Sequence, residues 1–164
     1  MKTGGLVLYL DFDGVLHHDD VRWTAKGPRL FAPAPYRLFQ HVDLLESLLM
    51  PHPRVSIVLS TSWVVRYGCA GAARKLPKAL ADRVVGATFH SAMDRASFLA
   101  APRGMQVWGD VYRRQPVDWL AIDDDDLHWP AWCRDKLVRT DEREGISVPA
   151  MIYEIQLVLA RLDG

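Results

Sequence analysis

The feature that most constrains this chain is an apolar run, Leu6-Val7-Leu8-Tyr9-Leu10, that stops abruptly at Asp11-Phe12-Asp13-Gly14. A continuous run of β-favouring residues, with no polar alternation, fits a strand buried on both faces, as in a parallel sheet. The pattern recurs along the chain. Val55-Ser56-Ile57-Val58-Leu59 stops at Ser60-Thr61-Ser62, and Trp119-Leu120-Ala121-Ile122 runs into Asp123-Asp124-Asp125-Asp126. Val84 to Phe89 is a weaker run and Leu137 to Thr140 a short one.

The stretches between these runs carry helical spacing. Phe39, Val42, Leu45 and Leu49 form one stripe, closed by Pro51. Residues from about 70 to 80 read as a helix despite Pro77, and Met105, Trp108, Val111 and Tyr112 form another apolar stripe. Near the end, Ser147 can cap a helix with Pro149 in its first turn and Ile152, Ile155, Leu159 and Leu162 on its buried face. Alternating strands and helices predict an α/β fold with a mainly parallel sheet covered on both faces. A chain of 164 residues with 49% hydrophobic content suits one domain, residues 1–164, around one well-packed core.

Lys plus Arg and Asp plus Glu number 20 each, so the formal net charge is zero. A whole-surface pull on nucleic acid or on an anionic membrane is therefore not expected, and any attraction for phosphate must be local. Two cysteines, Cys69 and Cys133, are too few for a disulfide scaffold and lack metal-ligand spacing, which predicts free thiols in a reducing cytoplasm. The first apolar run is too short for a signal-peptide core or a membrane span, so the expectation is a cytoplasmic protein with no membrane partner.

Parallel α/β sheets bind ligands outside the carboxyl ends of their strands, where the polar clusters of this chain fall. Side by side, those ends would gather several carboxylates and hydroxyls in one cleft. Carboxylates that close repel one another unless a cation joins them, and oxygen-only ligands favour a hard ion such as Mg²⁺. Asp11 and Asp13 are two apart and would share a face of a regular strand. Of such a pair, one carboxylate can attack phosphorus while the other protonates the leaving oxygen and later activates water. Gly14 leaves room for a ligand and permits backbone angles closed to other residues.

The segment Leu8-Tyr9-Leu10-Asp11-Phe12-Asp13-Gly14-Val15-Leu16 resembles the first signature of the haloacid dehalogenase (HAD) superfamily. In particular it is similar to the HAD domains of bacterial RNA-repair (Swiss-army-knife) proteins and polynucleotide phosphatases. Ile57 to Trp63 resembles the second signature, and Ile122-Asp123-Asp124-Asp125 the fourth, the acidic pair that completes the metal site. The resemblance covers nearly the whole chain and implies a Rossmann-like three-layer sandwich. The short segments between the motifs leave space for a minimal cap or none.

It further implies a Mg²⁺-dependent phosphomonoester hydrolase working through an aspartyl-phosphate. Asp11 would be nucleophile and metal ligand, and Asp13 general acid/base with its backbone carbonyl on the metal. Asp123 would be a further ligand, and Asp124 a ligand through water or a partner of the ligands. Thr61 would bind the phosphoryl group, with Ser60 as competitor, and Ser62 and Gly14 would line the substrate site. The superfamily's basic residue is normally Lys; here Arg103 has suitable spacing, with Lys75 and Arg95 as alternatives. The implied substrate is phosphorylated, with a nucleic-acid end or a nucleotide in view. A catalytically weak binding or regulatory domain and a small-molecule phosphatase are the competing readings.

Some residues stay open. His17 and His18 could touch substrate from a flap or be exposed loop residues, and Asp125 and Asp126 read as solvated. Trp63, Trp129 and Trp132, near strand ends, could stack a base or pack in the core. Arg22, Lys26, Arg29, Arg66, Arg74 and Lys75 could form a basic groove if the fold brings them together.

Overall fold

The computed structural model describes residues 4–164. Leu6–Leu10 form β1, and its side chains divide between two cores as a pleated strand requires: Leu8 and Leu10 enter one, Val7 and Tyr9 the other. A hairpin follows, β2 (Val21–Thr24) antiparallel to β3 (Gly27–Leu30). The strands β4 (Val55–Leu59), β5 (Val84–Ala87), β6 (Asp118–Asp123) and β7 (Leu137–Arg139) join β1 in one parallel sheet, ordered β5-β4-β1-β6-β7.

The helices are α1 (Val42–Leu49), α2 (Ser62–Ala73), α3 (Lys78–Ala81), α4 (Arg95–Ala100), α5 (Arg103–Arg114) and α6 (Pro149–Asp163). Leu45 and Leu49 of α1, Trp63 of α2, and Ile155 and Leu159 of α6 pack with Leu8 and Leu10 on one face. Val107 and Val111 of α5 pack on the other with Val7 and Tyr9, joined by Cys133 from a 3₁₀ turn at Ala131–Lys136. The result is the expected three-layer α/β/α sandwich. Its only cap-like addition among the described residues is the β2–β3 hairpin.

Several local expectations fail for identifiable reasons. Phe39 lies outside α1 with φ +56°, because its ring turns inward against Phe12, His17 and Trp63. Ser147 does not cap α6. Its hydroxyl bonds the Glu144 carbonyl, and Val148 takes the cap position ahead of Pro149. The helix placed near residues 70–80 is really α2, starting at Ser62 and kinked at Gly68 (φ +72°), followed by the single turn α3. The hairpin carries no Asn-Gly or Asp-Gly turn; Thr24 closes it instead, its hydroxyl bonding the Gly27 carbonyl and accepting from Lys26 N–H. Cys69 and Cys133 are free thiols. Among the described residues, no helix is long and apolar enough to cross a membrane.

Register now decides the chemistry. Leu10 of the central strand sits opposite Leu59 on one side and Ile122 on the other. The next residue of each strand is Asp11, Ser60 and Asp123, so three sequence-distant side chains meet at one sheet edge. The ladder extends one step into them, with Ser60 N–H bonding the Leu10 carbonyl and Asp11 N–H the Ile122 carbonyl.

Candidate active site

Asp11, Asp123 and Asp124 each bring a carboxylate oxygen within 4.8 Å of the others. Asp11 and Asp123 are almost fully buried, and Asp124 is half-buried. Burial pushes all three carboxyls upward; the Asp11 charge adds to it at Asp123 and Asp124 and the Asp13 charge at Asp11, and Asp124 is pushed up to about 7. One guanidinium opposes this. Arg103, the first residue of α5, places Nε 3.4 Å from Asp123 Oδ2 and Nη2 3.8 Å from Asp11 Oδ2. Its Nη1 also donates to the Ser60 carbonyl. Burial disfavours the Arg103 charge, but Asp11 and Asp123 outweigh that and hold it protonated.

A single positive charge does not balance three close carboxylates, and among the described residues Asp123 Oδ2 is buried with only the Arg103 ion pair and no hydrogen bond. An oxygen-only donor set with excess negative charge and a buried carboxylate oxygen that lacks a hydrogen bond fits a hard divalent cation such as Mg²⁺.

Gly14 shows why no larger residue fits after Asp13. Its φ is +73°, and a Cβ there would lie 2.2 Å from Asp124 Oδ2. Its carbonyl accepts from Thr140 Oγ1 at 2.7 Å, which ties the turn after β1 to the end of β7. On the opposite side, Thr61 is the N-cap of α2, and its hydroxyl also hydrogen-bonds Asp11. Ser60 Oγ is buried and has no hydrogen-bond partner among the described residues. Ser62 opens α2 at the edge of the cleft, half-buried.

Asp13 stands apart from the acidic trio. Its Oδ1 accepts from Trp63 Nε1 and is bonded to His17 Nε2, both at 2.8 Å. His17 matches neither sequence reading: it is wholly buried, and its Nδ1 accepts from Phe39 N–H at 3.0 Å. Trp63 is buried too and offers no face to a base. These partners were hidden in the sequence, where the only hints were a histidine pair just past one motif and a tryptophan at the end of another. Trp129 is likewise core, whereas Trp132 is exposed beside Trp108.

The alternatives to Arg103 lie elsewhere. Arg95 is exposed on α4, and Lys75 is exposed with its Nζ 4.8 Å above the Tyr67 ring. Asp125 is exposed, and Asp126 pairs with Arg134 and Arg139. The hairpin packs on α2 through Trp23, which touches Trp63 and Tyr67 and lies under the Arg66 guanidinium. Arg22 and Arg29 face each other across the hairpin strands.

No curated protein and no solved structure matches the chain. A family model described as the HAD domain in Swiss Army Knife RNA repair proteins matches residues 7–151. With the acidic strand ends and the parallel order of the sheet in place, the chain belongs to that HAD family.

Proposed function

We propose that the protein is a Mg²⁺-dependent phosphomonoester hydrolase that forms an aspartyl-phosphate on Asp11 and acts on a nucleic-acid end or a nucleotide. HAD domains are as a family phosphohydrolase-type enzymes that generally use Mg²⁺. The observation that carries the reading is the convergence of Asp11, Asp123 and Asp124 around Arg103 at the carboxyl edge of the sheet.

Asp11, Asp123, Asp124 and the Asp13 backbone carbonyl would hold Mg²⁺, which when bound supplies charge neutralisation at the transferring phosphoryl group. Arg103 and the Thr61 hydroxyl, at the N-terminus of α2, hold phosphoryl oxygens. A carboxylate oxygen of Asp11 bonds to phosphorus as the ester P–O bond breaks. The proton of the Asp13 carboxyl goes to the departing oxygen, and Asp13 is left as carboxylate. Asp13 then takes a proton from water as the water oxygen bonds phosphorus and the Asp11–phosphorus bond breaks. Inorganic phosphate leaves, and both aspartates return to their starting forms.

The nucleic-acid side of the reading draws support from the family's description and from exposed cations on adjoining elements. Arg22, Lys26 and Arg29 belong to the hairpin, and Arg66, Arg74 and Lys75 to α2 and its end, with Trp23 and Tyr67 between them. A shallow cap of one hairpin leaves the cleft accessible to a large substrate.

The test is phosphate release from 3′- and 5′-phosphorylated oligonucleotides, nucleotides and sugar phosphates, with Mg²⁺ and after exhaustive chelation. Metal-dependent release, strongest on oligonucleotide ends, is the expected result. Full activity after chelation, or no release from any monoester, overturns it.

A further inference from the structure

We propose that His17 and Trp63 are positioning residues for the acid/base step: together they clamp Oδ1 of Asp13 and leave the transferable proton on Oδ2. The inference rests on the phosphohydrolase reading and adds two side chains that touch neither the acidic trio nor Arg103.

Both donors converge on one oxygen. Trp63 Nε1 and His17 Nε2 each lie 2.8 Å from Oδ1. An indole N–H can only donate. The imidazole has no more freedom, because its Nδ1 accepts the Phe39 N–H and so its proton is on Nε2. A carboxyl oxygen that already accepts two N–H donors has no lone pair left for a proton of its own. The proton of the acid form therefore sits on Oδ2, to which no group of the described residues is bonded.

The clamp is itself held in place. The His17 ring packs edge-on against Phe39 at 4.9 Å and tilted to Trp63 at 5.9 Å. Trp63 packs against Phe12, Phe39 and the hairpin residue Trp23. Neither donor can rotate away without opening this aromatic cluster. A pairing that served stability alone would satisfy both carboxylate oxygens and bury them. Here the Asp13 side chain keeps 23% of its exposure while the His17 side chain has none. That combination suits a group whose one oxygen is fixed so that the other can exchange a proton.

Trp63→Phe keeps an aromatic ring in the cluster and deletes the donor, which makes it the decisive variant. With glycerol phosphate, whose alkoxide leaving group needs a proton, kcat should fall roughly tenfold or more while KM holds. With p-nitrophenyl phosphate, whose leaving group departs without one, phosphoenzyme should form at close to the parent rate and then accumulate. His17→Gln retains an amide donor and should keep more of kcat than His17→Leu. In a readout independent of turnover, the ¹H–¹⁵N signal of the Trp63 indole should move in Asp13→Ala. Phosphoenzyme that forms equally slowly from both esters, or an unmoved indole signal, overturns the positioning role. A wild-type protein that releases phosphate from no monoester overturns the phosphohydrolase reading together with this one; an active wild type whose Trp63→Phe variant forms phosphoenzyme equally slowly from both esters overturns this one alone.

Discussion

Replacing Asp124 by Asn should change how the metal-free protein's stability depends on pH, and the size of the change follows from the site. Asp124 is pushed from 3.8 to about 7, first by burial and then by the Asp11 charge. Below about pH 4 its carboxyl is protonated in folded and unfolded chains alike. Between about pH 4 and 7 the unfolded chain releases a proton that the folded chain retains, so stability falls as pH rises. Above about pH 7 both forms are ionised and the loss is complete. At about 1.4 kcal/mol per pH unit, this one carboxyl removes roughly 3 kcal/mol between pH 5 and pH 8. His41, whose imidazole burial pushes down, acts with the opposite sign below its ordinary value, so wild type alone would blur the effect. The difference between wild type and Asp124→Asn cancels it. Urea unfolding in chelator across that range should give a wild-type stability that declines relative to the variant. Millimolar Mg²⁺ should restore wild type at about pH 8 and help the variant less, because binding to the folded state adds stability by mass action. A flat difference profile, or no Mg²⁺ stabilisation of wild type, would refute the account of the acidic trio.

Two further outcomes are expected. Asp11→Asn should abolish turnover and any covalent phosphoenzyme, whereas Asp13→Asn should leave the fold intact and slow hydrolysis by roughly 10²–10⁴-fold, as rapid-quench phosphoenzyme trapping and steady-state assays would measure. Arg103→Ala strips the guanidinium from buried Asp11 and Asp123, so it should lower metal-free stability by about 3–5 kcal/mol as well as kcat/KM, while Arg103→Lys recovers part of both; calorimetry with kinetics checks this, and unchanged kinetics in Arg103→Ala would exclude contact with the phosphoryl group.

The sheet was legible because each interior strand is an apolar run ended by polar residues, and a strand buried on both faces leaves that trace whatever surrounds it. The gathering of Asp11, Thr61 and Asp123 followed from their places at strand ends. Arg103 was legible only by spacing, since its hold on Asp11, Asp123 and the Ser60 carbonyl depends on how α5 approaches the sheet. The surroundings of Asp13 were not legible at all. His17 and Trp63 are 46 positions apart in the chain and meet only because the turn after β1 folds over the first turn of α2. Phe39 illustrates the same limit: its helical spacing is genuine in sequence, yet tertiary packing draws it into a left-handed conformation ahead of α1.

The hairpin also marks where the molecule could grow. Its strands are anchored close to the turn, where Trp23 packs against Trp63 and Tyr67. The turn itself is exposed: Ala25 and Lys26 form the two-residue loop between the paired ends Thr24 and Gly27. Opposite the hairpin, the turn after β1 has no such freedom, because Thr140 bonds the Gly14 carbonyl and a Cβ on Gly145 would strike the Val15 carbonyl at 2.2 Å. Insertions at 25–26 would therefore lengthen the roof over the cleft without disturbing the aspartates beneath, whereas insertions at 14–17 or 140–146 would pull the turn and its buttress apart. One edge of the cleft is open to lengthening and selection for new substrates, and the other is locked to the chemistry.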